Sequence, residues 1–168
     1  RLGGDLIQRL ERHGLKVLGI ARRLGITDRV AFLRVVDAHQ RRKLRTERPN
    51  AVFVTCITAT VLDGIEVCRV AKEEVPGVLT VLGGTHPTFM FEEILREHAA
   101  VDVVVRGEGE ETGVELMQAW EAKADLTRVR NIAFRQEGKV VATPARHFIA
   151  NLDLLEPARG VEEGVDEE

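Results

Sequence analysis

The chain has 168 residues, enough for one domain with a sizeable core, and its 44% hydrophobic and 30% charged residues are the composition of a soluble globular protein. A net charge of −3 leaves no basic footprint for nucleic acid, and 4% aromatics with no Tyr argue against a platform for stacking bases. No apolar run approaches the length of a membrane span.

The first 29 residues are the least regular part of the pattern. Asp5 to Gly14 reads as a helix stopped by glycine. Lys16 to Ile20 reads as a strand or as part of a second helix. The chain starts at Arg1, not Met, and shows no signal peptide, so it reads as a fragment of a longer protein. From Val30 onward short β-branched runs alternate with amphipathic segments. "VAFLRVV" (Val30 to Val36) predicts a strand ending at Asp37. The polar run after it predicts an exposed helix, stopped by Pro49. Ala51 to Cys56 is the second strand. Val61, Ile65, Cys68, Ala71 and Val75 then fall near helical spacing. Pro76 and Gly77 punctuate. "VLTVL" is the third strand, Thr88 to His98 a helix, Val101 to Val105 the fourth strand, and Glu111 to Lys123 a helix. Asn131 to Thr143 reads as a hairpin turning at Glu137 and Gly138. An exit segment, "NLDLLEP", and an acidic tail expected to be disordered complete the chain.

Strands apolar at every position are buried on both faces, and helices between them imply parallel pairing through right-handed crossovers. The expected fold is therefore α/β: an open, mainly parallel, flavodoxin-like sheet with helices on both faces and a C-terminal β-hairpin. Such sheets bind ligands beyond the carboxyl ends of their strands.

Three strand tips carry chemistry. Gly83 and Gly84 end a buried strand. A tight turn would explain them, yet Thr85, His86, Pro87 and Thr88 follow with more polar groups than a turn needs. Thr55 and Thr58 end the second strand, where helix capping is the plain alternative. Arg106, Gly107, Glu108 and Gly109 end the fourth. Capping by Glu110 explains part of that loop. The glycine spacing of "GEGEETG" is wrong for a dinucleotide fingerprint, its carboxylates would repel a pyrophosphate, and no P-loop lysine exists. Asp37 and His39 form a D-x-H pair, but Arg42 stands where a cobalt-ligating D-x-H-x-x-G motif needs glycine, so His39 is read as an exposed helix residue. His86 is read as bonding its loop or a ligand, and His13, His98 and His147 as surface residues. Cys56 and Cys68, 12 positions apart in apolar surroundings, are read as buried thiols of a reducing, cytoplasmic compartment. No residue set predicts a protein-bound metal or a catalytic triad.

"RPNAVFVTCIT", "VLGGTHPTFMFEEIL", "VDVVVRGEGEET", "NIAFRQEGKVVATP" and "NLDLLEP" occur in one order. In that order they resemble the N-terminal cobalamin-binding domain of radical S-adenosylmethionine enzymes, in particular the anaerobic magnesium-protoporphyrin monomethyl ester cyclase group. The resemblance covers roughly Val30 to Pro157. It implies cobalamin bound with its dimethylbenzimidazole tail off cobalt. The tail's slot would be lined by Thr55, Gly83 and Gly84, and the cofactor-binding residues would further include Ile57, Thr58, Thr85, His86, Pro87, Thr88, Arg106, Gly107, Glu108 and Gly109. It implies a tetrapyrrole-related parent as one option. It divides the chain into an N-terminal segment (1–29), the cobalamin-binding domain (30–127), the hairpin with its exit (128–157) and the tail (158–168). It also implies a radical S-adenosylmethionine catalytic domain, in cis or in trans, carrying a 4Fe-4S cluster and S-adenosylmethionine. The cysteine triplet for that cluster is not on this chain, so the chain alone has no such activity. The competing expectations are a degenerate domain of the same fold that serves only as a structural or interaction unit, and an α/β enzyme acting on a small phosphorylated ligand. The acidic loop disfavours the enzyme.

Overall fold

The computed structural model describes residues 30–32 and 38–146. The readings of Asp5–Gly14, Lys16–Ile20, residues 33–37, the "NLDLLEP" exit and the acidic tail lie outside the described residues, as do His13 and His147.

Among the described residues six strands form one sheet in the order of the chain: β1 (Val30–Phe32), β2 (Ala51–Thr55), β3 (Leu79–Gly83), β4 (Val103–Val105), β5 (Ile132–Gln136) and β6 (Lys139–Ala142). The first four pair in parallel, and β5 and β6 add antiparallel as the expected hairpin. The hairpin turns at Glu137 and Gly138, both at positive φ, as a tight turn between right-twisted strands demands. Four helices connect or follow the strands: α1 (Ala38–Glu47), α2 (Val61–Glu74), α3 (Thr85–Glu97) and α4 (Glu110–Glu121).

Alternate strand residues feed two cores. Val52, Val54, Leu82, Val104 and Ala133 pack with Leu44 of α1, Val67, Cys68, Val70 and Ala71 of α2, and Ile94 and Leu95 of α3. Ala51, Leu79, Val81, Val103, Val105, Ile132 and Phe134 pack on the other face with Leu116 and Met117 of α4. A strand covered on both faces has no polar side, which is why β4 reads as an unbroken apolar run and β3 departs from one only at the buried, hydrogen-bonded Thr80. Burial of these side chains supplies the main drive to fold, at about 1.5–3 kcal/mol for each fully buried Val, Leu or Ile.

Polar contacts fix the helices in place. Glu74 at the end of α2 takes Arg41 at 3.0 Å and both donors of Arg45, clamping α1 to α2. The Arg45 hydrogen bond is the chief reason the Glu74 carboxyl is held down to about 2. At the amino edge of the sheet Asp102 accepts from Lys72 Nζ (2.7 Å), Thr80 N (2.9 Å) and Thr80 Oγ1 (3.0 Å), tying β3, β4 and α2 together.

α3 begins at Thr85, three residues before the expected start at Thr88. Pro87 is the reason for the shortfall. A proline marks a break in most sequence patterns, but the first turn of a helix has no use for its N–H groups, so proline fits there. The helix bends at Met90 (φ −108°, ψ 20°). Just before the bend, Thr88 Oγ1 donates back to Gly84 O at 2.7 Å, a bond that commonly accompanies bending.

Candidate cofactor site at the carboxyl edge of the sheet

The tips of β2, β3 and β4 lie side by side. Thr55 is in register with Gly83, and Cys56 N donates to Gly83 O at 2.8 Å, carrying the pairing one residue past β2. The next link is His86, whose Nδ1 shares a hydrogen bond with Thr58 Oγ1 at 3.2 Å and so ties the start of α3 to the β2 loop. Thr88 forms the third: its Oγ1 accepts from Gly107 N at 2.9 Å, joining α3 to the β4 loop. The three loops named from sequence are thus one hydrogen-bonded rim.

The two glycines differ in kind. Gly84 caps α3 at φ +106°, and a Cβ there would stand 2.2 Å from Cys56 O. Its bare backbone is required by the chain's own packing of the β3 turn onto the β2 tip. Gly83 has no positive φ, and a Cβ there would meet only Val105 O and Cβ, at 3.8 and 3.9 Å. Nothing among the described residues excludes a side chain at Gly83, so it is the position where a missing Cβ leaves room for something else.

The remaining predicted residues sort by environment. Thr55, Ile57, Thr58 and Thr85 are exposed on the rim, and Pro87 is buried under it. Gly107 takes φ +72°, Glu108 and Gly109 are half-buried, and Gly109 precedes α4, with its carbonyl accepting from Gly113 N at 2.7 Å. Glu110 and Glu111 in the first turn of α4 complement its dipole, as expected for capping. Arg106 turns toward the hairpin: its guanidinium lies over the Phe91 ring, 5.2 Å from the centroid, and donates to Thr143 O.

Two groups of residues escaped sequence reading. Leu62 and Phe89, 73% and 81% exposed, stand with Ile57 and Met90 in loops or first turns that follow the strand tips. "FMF" at 89–91 was a usable signal, since three consecutive apolar residues span more arc than one helix face can bury. Asn131, Thr143 and Arg146, which hold the chain after the hairpin, carried no such signal. Among the described residues no group of His, Cys, Asp or Glu could hold a metal ion, and no helix is long and apolar enough to cross a membrane.

A rim of exposed hydroxyls and apolar side chains thus surrounds a strand tip where Gly83 carries no side chain. This is the class of α/β domain that binds at the carboxyl edge of its sheet. The B12 binding domain family matches residues 14–117, and the chain belongs to that family; cobalamin is its cofactor. The chain is 39% identical over 150 residues to the anaerobic magnesium-protoporphyrin IX monomethyl ester cyclase of Cereibacter sphaeroides, covering 85% of this chain and 24% of that protein. It is 40% identical over 125 residues to the enzyme of the same name from Rubrivivax gelatinosus, covering 72% of this chain and 22% of that one. The chain thus spans about a quarter of the length of these curated relatives. Among solved structures, the radical S-adenosylmethionine methyltransferase TsrM from Kitasatospora setae, with cobalamin and a 4Fe-4S cluster bound, superposes with a TM-score of 0.56 at 20% identity. That match covers 65% of this chain and 22% of that one, and it establishes the shared fold.

Proposed function

We propose that the chain is the cobalamin-holding module of a radical S-adenosylmethionine system. In this reading the catalytic domain acts in cis or in trans, and the cofactor sits base-off with its tail in the slot at Gly83. The observation that carries this is the contrast between the glycines: Gly84 is explained by internal packing, whereas Gly83 is not. Thr55 and Thr58 would satisfy the polar edge of the tail, and Ile57, Leu62 and Phe89 would shelter an apolar face of the macrocycle. When bound, cobalamin would supply a cobalt centre able to carry a methyl group or electrons, chemistry for which the described side chains have no substitute. The chain's own part is to bind, orient and exclude water. The cyclase and methyltransferase relatives support a radical S-adenosylmethionine partner for it.

Anaerobic titration with hydroxocobalamin tests the reading. The expected outcome is a one-to-one complex that survives gel filtration and has a base-off absorption spectrum. A folded protein that neither shifts the spectrum nor retains the cofactor would mean a non-binding domain of the same fold. A base-on complex would place the tail elsewhere.

A further inference from the structure

The β4 loop is bonded in two directions. Toward α3, Gly107 N donates to Thr88 Oγ1 and the Arg106 guanidinium covers Phe91. Toward the hairpin, Arg106 N donates to Asn131 O at 2.8 Å and its guanidinium donates to Thr143 O. Asn131 sits in the left-handed region (φ 64°), which aims its backbone and side chain at one segment: its N donates to Pro144 O, and its Oδ1 accepts from Arg146 N, both at 3.0 Å. Arg146 then reaches α4, at Glu111 (2.9 Å) and at Glu115. An unbroken series of contacts therefore runs from the β3 tip through Arg106 to residues 143–146 and on to α4.

The direction of β6 gives this series its meaning. β6 is antiparallel to β5, which is antiparallel to β4, so β6 runs the same way as the four parallel strands. The chain leaves the hairpin at the carboxyl edge, on the rim that carries the three loops. Arg106 is the side chain that joins this departing segment to the β4 loop and to α3. The Nε of Arg106 is buried without a hydrogen-bond partner among the described residues. Among the described residues its guanidinium is thus held by the Phe91 ring and by one carbonyl rather than by a full set of acceptors, an arrangement suited to an extended, delocalised cation.

We propose that Arg106, expected from the sequence among the cofactor-binding residues, serves instead as a positioning residue that couples cofactor uptake at the rim to the course of the chain leaving the hairpin. The coupling rests on the cobalamin reading above. It is reciprocal by linkage: what orders the rim orders residues 143–146, and the converse.

Amide hydrogen exchange of the full chain, with and without hydroxocobalamin, tests it on the wild type and on Arg106→Met. In the wild type, hydroxocobalamin is expected to slow exchange at Asn131, Thr143 and Arg146 by about threefold or more. Arg106→Met is expected to exchange faster at these amides without cofactor and, at saturating hydroxocobalamin, to lose the added protection. Arg106→Lys should not restore it, because a single ammonium nitrogen cannot both sit over Phe91 and donate to Thr143 O as the extended guanidinium does. Phe91→Leu, with Arg106 intact, should weaken the added protection, and it decides the matter if Arg106→Met does not fold. Two results overturn the proposal: added protection that persists in Arg106→Met, or binding lost in that variant with exchange at the three amides unchanged. Wild-type protein that takes up no hydroxocobalamin would refute the cobalamin reading and the coupling together. Faster exchange in cofactor-free Arg106→Met would then still separate positioning of the segment from the failed coupling, and unchanged exchange would remove both.

Discussion

At the scale of the residue, the site turns on two neighbouring glycines with unlike reasons to exist. Adding a methyl group at Gly84 forces a left-handed φ on a side-chain residue and drives Cβ into the Cys56 carbonyl. Gly84→Ala should therefore cost about 2 kcal/mol or more, read as a fall in the denaturant midpoint. Gly83→Ala should leave stability within about 1 kcal/mol, since its Cβ finds ordinary space. Gly83→Val should weaken hydroxocobalamin binding at least roughly tenfold, with the fold kept by circular dichroism. Normal binding by that variant would move the slot away from β3. Sequence alone treats "GG" as a single signal. What separates the pair is the Cys56 carbonyl, 28 positions earlier in the chain than Gly84, which only the folded chain brings near. His86 is similar: the sequence reading limited it to hydrogen bonding, but the partner, Thr58, becomes visible only when the β2 and β3 tips are side by side.

At the scale of the element, period and burial made strands β2 to β6 and helices α1 to α4 legible. Both faces of a parallel sheet demand apolar residues, and "EG" between alternating runs demands a hairpin. The boundaries were less legible, as the early start of α3 shows. Least legible was how elements are fastened to each other, because a single long side chain can do it with no pattern around it. Arg135 is an example. From β5 it donates to the carbonyls of Leu95 (2.6 Å), Ala99 (3.2 Å) and Val101 (2.5 Å), with His98 O at 3.5 Å. A helix leaves its last carbonyls without internal partners, and a cation there also meets the negative end of the dipole. Arg135→Ala is expected to cost about 2 kcal/mol and to lower the thermal midpoint by roughly 5–15 °C. Arg135→Lys should recover only part, since one ammonium cannot serve carbonyls so far apart. A midpoint unchanged in the alanine variant would mean that water replaces the guanidinium without penalty.

At the scale of the whole molecule, two cores on either side of one sheet leave both thiols out of reach of solvent. Burial pushes the Cys56 thiol up to about 11, with the nearby Asp63 carboxylate adding to it, and the Cys68 thiol up to about 12. A thiol raised in the folded state holds its proton more tightly than in the unfolded chain. Its contribution to stability is therefore complete below the unfolded value near 8.5 and is lost as pH rises from there toward 11 and 12. Stability should fall between pH 9 and 11, and iodoacetamide at pH 8 should modify neither cysteine except through unfolding, at rates that track denaturant. Rapid labelling of Cys56 alone would mean that the β2 tip opens locally while the core stays closed.

The return of β6 to the direction of the parallel strands has a consequence for how such a module is put to use. Residue 146 lies on the rim, so a partner joined to the chain beyond it would be tethered at the same edge of the sheet as the proposed slot. Over a short flexible connection the tether gives an effective concentration on the order of millimolar, so weak contacts between the two surfaces suffice for them to meet. A partner arriving in trans has no such help and must carry in its own interface the affinity that the tether would otherwise replace.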